Sequence, residues 1–280
     1  MQSSNPVFRQ AEGFNGRSTT YPASGMSYPA YGSQTAYDDP YRTTAPGPVT
    51  TRPAGPMTID SVVQKTGLTL LFVVLAAAAT WVLTPDPRIE SASSLYCLAM
   101  IGAFGGFALS LVNSFKRVIS PALVLAYAVL EGLFVGAFSK VLEASFGEGI
   151  VIGAVLGTMA AVAGTLAAYK FFNIRVSPTF RKWVFAAMCG FVALALLDFV
   201  LGLFGASFGF NGFGAMGLLS SVVGLGLGVL MLILDFDYVE RGIAAGLPEQ
   251  ESWRAAFGLT VTIIWIYIEL LRILAILRGD

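Results

Sequence analysis

The sequence predicts an all-α membrane protein with seven transmembrane helices, and three observations carry that prediction. Of its 280 residues 55% are hydrophobic and only 12% are charged, where a soluble domain carries about 25% charged residues. The mean hydropathy is +0.71. Its 31 glycines suit helices that approach closely in lipid, where small residues form the interfaces. Apolar stretches of about 20 residues, enough to cross a hydrocarbon core of about 30 Å, recur from residue 57 onward.

The elements follow in order. Residues 1–56 are rich in Ser, Thr, Gly, Pro, Ala and Tyr without a long apolar run, so they cannot bury enough surface to offset chain entropy and should be a disordered tail. With no hydrophobic segment there, the first membrane helix should serve as an uncleaved targeting signal. Tyr21, Tyr28, Tyr31, Tyr37 and Tyr41 in this tail suit either a plain tether or a docking or phosphorylation segment. Residues 57–280 form the seven-helix domain, with spans at Val62–Leu83, Ser93–Val112, Pro121–Lys140, Ile150–Phe172, Trp183–Phe204, Ala215–Phe236 and Ala256–Leu277. Each break carries turn formers or charge (TPDPR, NSFKR, EASFGEG, NIRVSPTFRK, GASFGFNGFG, YVERGIAAGLPEQESW). Such short loops force neighbouring helices to run antiparallel.

Lys and Arg near the helix ends set the orientation. Arg52, Lys65, Lys116, Arg117, Lys170, Arg175, Arg181, Lys182, Arg241 and Arg254 fall on one side, Arg88, Lys140 and Arg278 on the other. The amino terminus should therefore be cytoplasmic and the carboxyl terminus outside, or in the lumen if the membrane is an organelle's.

Absences narrow the chemistry. The chain has no histidine, which excludes imidazole-based nucleophilic catalysis, His zinc sites and His-ligated haem. Lys and Arg (17) balance Asp and Glu (17), and no basic tract offers itself to nucleic acid. Cys97 and Cys189 show no metal-ligand spacing and read as packing residues. An aspartyl protease of the membrane would need a GxGD, which Gly226-Leu227-Gly228-Val229 does not supply, and a retinal Schiff base would need a lysine after Lys182. The expected class is a non-enzyme without a cofactor.

Ionisable residues inside transmembrane helices are costly and mark functional sites by default. Glu131, Asp198, Asp235, Asp237 and Glu269 are the acidic candidates. In the sixth helix Gly217, Ser221, Gly224 and Gly228 form a small-residue stripe, and Asp235, seven residues on, shares that face and should turn into the protein. Asp237 is about 200° further round the helix and reads as a solvated carboxylate near the headgroups. Asp198 shares a face with Ala187, Leu194, Gly202 and Gly205, which fits either an interior role or an interfacial position. Glu131 sits at the centre of the third helix, one turn after Tyr127, whose hydroxyl can satisfy it. Glu269 either pairs with Arg272, three residues on, or faces the interior while Arg272 snorkels outward. Gly153 and Gly157 form a GxxxG that serves a partner interface or internal packing equally well. A carboxyl group held out of water favours its neutral form, and two in one site titrate in coupled steps. Ionised and facing one another, they form a hard oxygen site for Ca²⁺.

At these residues the sequence resembles the Bax inhibitor-1 family, also called the transmembrane Bax inhibitor motif family, and its bacterial subgroup. The resemblance lies in the seven-span order, in Glu131-Gly132, in Ile233-Leu234-Asp235-Phe236, in Ile266-Tyr267-Ile268-Glu269-Leu270 with Leu271-Arg272-Ile273-Leu274, and in MTIDSVVQKTG before the first span. It implies a central last helix wrapped by the other six and a pH-dependent leak of Ca²⁺ and other cations. It further implies that Asp235 and Glu269 pair as the pH-sensing latch, with Glu standing where the family usually has Asp. With the spans above, Asp235 lies near the cytoplasmic end and Glu269 about 20 Å into its helix, so a direct pair requires the seventh helix to start later or to tilt. Two readings result: a proton-gated cation leak channel or exchanger, with Asp235 and Glu269 as sensor and possible calcium ligands and Glu131 and Asp198 as secondary acids; or a non-conducting regulator that binds another membrane protein. Membrane lipid is a partner in both.

Overall fold

The computed structural model describes residues 55–88 and 93–279; residues 1–54, which hold most of the expected tail and its tyrosines, lie outside the described residues. Seven helices follow: α1 (Ile59–Leu83), α2 (Ser93–Phe115), α3 (Pro121–Phe146), α4 (Ile150–Phe171), α5 (Pro178–Leu203), α6 (Ala215–Ala244) and α7 (Glu251–Gly279). All seven are long and apolar enough to cross a membrane, which makes the chain an integral membrane protein.

Local chemistry sets the helix starts. Thr58 caps α1 in a reciprocal capping box with Ser61. Pro178 opens α5, its fixed φ suited to a first helical residue, while the Ser177 hydroxyl accepts from the Phe180 N–H. At the start of α4 the Glu143 carboxylate accepts from the N–H groups of Gly149 and Val151, both at 3.0 Å, and Gly149 takes a φ of 90° that a side chain would resist.

Helices outrun the apolar windows wherever charged end residues find partners. α6 continues eight residues beyond Phe236, and α7 begins five before Ala256. Lys140, at the expected end of the third span, lies inside α3, only 9% exposed. Its ammonium donates to the carbonyls of Trp81 (2.8 Å) and Thr84 (2.6 Å), the free acceptors where α1 ends. The last tail residues are also tied down: Glu249 N–H donates to the Gly55 carbonyl and Met57 N–H to that of Leu247. The expected disorder therefore does not extend to Gly55 and Pro56.

α7 is buried on every face, from Ser252 and Ala256 through Ile266 and Leu271 to Ile276, as expected of a helix enclosed by others. Its backbone packs against α1, α3, α4 and α6; the backbone of α2 approaches only α3 and that of α5 only α6, although the Phe191 side chain of α5 reaches Trp265 of α7. The expected wrapping by six helices is thus a wrapping by four, with two outriders. Gly153 and Gly157 face Leu274 and Leu270 of α7, so the GxxxG serves internal packing. Close approach of α3 to α1 depends on Gly136, where a Cβ would lie 2.6 Å from the Ala77 carbonyl oxygen. Cys97 and Cys189 are exposed and not packing residues, because both outriders turn most of their surface outward.

Candidate functional site

The antiparallel α6–α7 hairpin sets the register of the site. Asp235 meets Thr262, Gly228 meets Trp265 and Ile266, and Gly224 meets Glu269. The small-residue stripe creates this seam: a Cβ on Gly224 would lie 2.7 Å from Glu269 Oε1, and one on Gly228 would lie 2.9 Å from Ile266 Cγ1. The expectation that Asp235 turns inward on that stripe holds. Its Oδ2 accepts from the Thr262 hydroxyl at 2.6 Å, and its Oδ1 lies against Gly258.

Glu269, 4% exposed, lies seven residues beyond Thr262, about 10 Å along α7 at 1.5 Å per residue. Arg272 Nη1 donates to its Oε2 at 3.3 Å, so of the two expectations for this residue the internal pair is the one observed, and Arg272 (8% exposed) does not snorkel. Ser221 is the other polar side chain beside the carboxylate. Between the two acids stands Trp265. Its indole N–H donates to the Gly224 carbonyl at 3.0 Å, Phe191 packs edge-on against its ring, and Leu232 and Ile266, both fully buried, fill the remaining seam.

Beyond Glu269 the α5–α6 connection folds over the seam. Arg272 Nη2 donates to the carbonyls of Phe210 (3.1 Å) and Gly212 (3.4 Å), and the Ser220 hydroxyl donates to Phe210 at 2.6 Å. From the other side Asp198, 3% exposed, accepts the N–H of Phe208 (2.9 Å) and of Asn211 (2.8 Å) with its two oxygens. The sequence left Asp198 an interior role or an interfacial position; the geometry is that of an anchor for this connection. The buried face of α5 is Val184, Phe191 and Asp198, seven apart; Ala187, Leu194 and Gly202 are exposed, a correction to the face expected for Asp198. The turn residues of 205–214 signalled a loop, and no local signal marked its return into the bundle.

Asp237 is corrected more sharply. It is 8% exposed and pairs with Arg181 at 3.0 Å and with Arg241 one turn on, not with solvent. The reason is that α6 does not stop at Phe236, so Asp237 faces the start of α5 instead of the headgroups. Glu131 lies apart, between α3 and α2. Its Oε2 occupies the space left by Gly106, 2.7 Å from where a Cβ would sit, and Tyr127 lies beside it one turn earlier on α3.

A family model described as Bax inhibitor 1 like matches residues 5–279. The chain belongs to the Bax inhibitor 1 like family. An uncharacterized protein of Chlamydia muridarum (strain MoPn / Nigg) is 31% identical over 158 residues, which cover 55% of this chain and 63% of that relative; the similarity thus spans less than two thirds of the relative's length. In this Bax inhibitor 1 like chain the paired latch implied by the resemblance is absent from the arrangement seen. Asp235 and Glu269 share one seam, but their carboxyls bond to Thr262 and Arg272 respectively and lie on opposite sides of Trp265. α7 begins earlier than the apolar window, not later, and the hairpin register holds Glu269 against Gly224. For the same reason the two carboxyls do not jointly frame one calcium ion here.

Proposed function

We propose that this protein is a cation leak pathway, with calcium as a permeant ion, whose open and closed populations are set by protonation of intramembrane carboxyl groups. The observation that carries the reading is the file of acids along the α6–α7 seam. Asp235 with Thr262 forms one station, Glu269 with Arg272 a second, and the Trp265 indole closes the seam between them. A charge buried in a membrane protein needs a partner or a water-filled route. Glu269 has its partner in Arg272, whereas Asp235 has only a hydroxyl, so a proton gained or lost at Asp235 changes the cost of keeping the seam closed. Glu131 beside Tyr127 is a further acid on the α2–α3 interface, and Asp198 holds the outer connection in place. The excess of Lys and Arg at the end where α1 begins supports a cytoplasmic amino terminus, and the bacterial relative supports a bacterial plasma membrane.

The test is flux into liposomes loaded with a calcium indicator, with the full chain reconstituted and the pH stepped. Because Asn mimics the neutral acid, Asp235→Asn should give at every pH the flux that the wild type gives at its most acidic, and Glu269→Gln should flatten the profile less. No flux in the wild type would favour the non-conducting regulator, and a wild-type flux indifferent to pH would remove the sensor.

A further inference from the structure

α1 and α4 share no backbone contact, although both pack on α7, and the cleft between them holds two cavities. One, of about 530 Å³ at the end where α1 begins, is lined by Val62, Val63, Leu166, Phe236 and Val239 below a polar mouth of Tyr169, Lys170, Asn173 and Glu240. The other, of about 410 Å³, lies towards the far end between Val74, Ala78, Val155 and Met159 and is almost wholly apolar. From Ile59 in the first to Trp81 in the second is about 33 Å of helix rise, close to the hydrocarbon thickness of about 30 Å.

The mouth carries one cation and one anion. The Lys170 ammonium makes no ion pair among the described residues, and Glu240 receives only the Tyr169 hydroxyl, on Oε2 at 2.6 Å. Both residues are exposed. A purely anionic headgroup would satisfy Lys170 and be repelled by Glu240. A zwitterion answers both if it joins a phosphate to a primary amine: phosphate oxygens accept from Lys170 and the Asn173 amide, and the ammonium donates to the remaining Glu240 oxygen. A quaternary amine has no N–H to donate.

We propose that this cleft binds a membrane glycerophospholipid with an ethanolamine-type headgroup, phosphate on Lys170 and amine on Glu240, and its acyl chains along α1 and α4. The site is independent of the acids on the α6–α7 seam, so its failure would leave the leak pathway standing, and the reverse. Native mass spectrometry of the full chain, offered lipids of identical chains with ethanolamine, choline or glycerol headgroups, reads it directly. The ethanolamine lipid should be retained at least fivefold over either competitor. Glu240→Gln should abolish its advantage over choline, Lys170→Gln should weaken retention of all three, and Leu166→Trp, a change on the exposed wall of the cavity, should expel lipid whatever its headgroup. Val63→Trp on the opposite wall repeats that test should the first variant fail to fold. Equal retention of choline and ethanolamine lipids, a preference for the glycerol headgroup, or an ethanolamine advantage that survives Glu240→Gln would overturn the proposal.

Discussion

Replacing Arg272 with Met is expected to destabilise the protein more than any other single exchange at the site. The substitution leaves the Glu269 carboxylate buried without its guanidinium, and removing one partner of a buried ion pair costs about 3–5 kcal/mol. It also strips the donors from the Phe210 and Gly212 carbonyls, which hold the α5–α6 connection over the seam. Adding Glu269→Gln removes the stranded charge, so the double variant should recover most of the loss and keep a deficit of about 1.5–3 kcal/mol, the worth of hydrogen bonds to a charged group. Thermal unfolding in detergent measures both. A double variant no more stable than Arg272→Met alone would show that the stranded carboxylate is not the cause.

Asp198→Asn should release the same connection from the other side. The carboxylate takes two backbone N–H groups, one on each oxygen, and a carboxamide can accept at only one of those two positions because its NH₂ at the other is a donor. Losing one such bond costs about 1.5–3 kcal/mol, and each 1.4 kcal/mol is tenfold in an opening equilibrium. Hydrogen exchange at the Phe208 and Asn211 amides should therefore accelerate about ten- to a hundred-fold at one or both positions. Unchanged exchange, combined with a flux profile shifted as in Asp235→Asn, would make Asp198 a proton sensor and not an anchor.

Much of the seam was legible because lipid leaves few options. The number of spans follows from apolar length, and the inward turn of Asp235 follows from its place on the Gly217–Ser221–Gly224–Gly228 stripe, whose members are all buried. What was not legible depends on contacts between distant segments. Apolar windows end where charge begins, so α6 was cut at Phe236, and Asp237, which reaches Arg181 across 56 residues, read as solvated. Periodicity places Asp198 on a face but does not reveal that a loop ten residues on returns to meet it. Helix register decides whether acids on neighbouring spans meet, and it is fixed by the α6–α7 connection and by the fit of Trp265 and Ile266 against Gly228. Short motifs do not encode it.

Isotope-edited infrared difference spectra of the reconstituted chain, taken as the pH is stepped from acid to neutral, would follow the protonation of the seam itself. The carbonyl stretch of a neutral carboxylic acid should bleach over the pH interval in which the flux changes, and the bleach should be missing from Asp235→Asn while persisting in Asp198→Asn. A flux that changes with pH while the Asp235 carboxyl band stays constant would contradict gating by that residue.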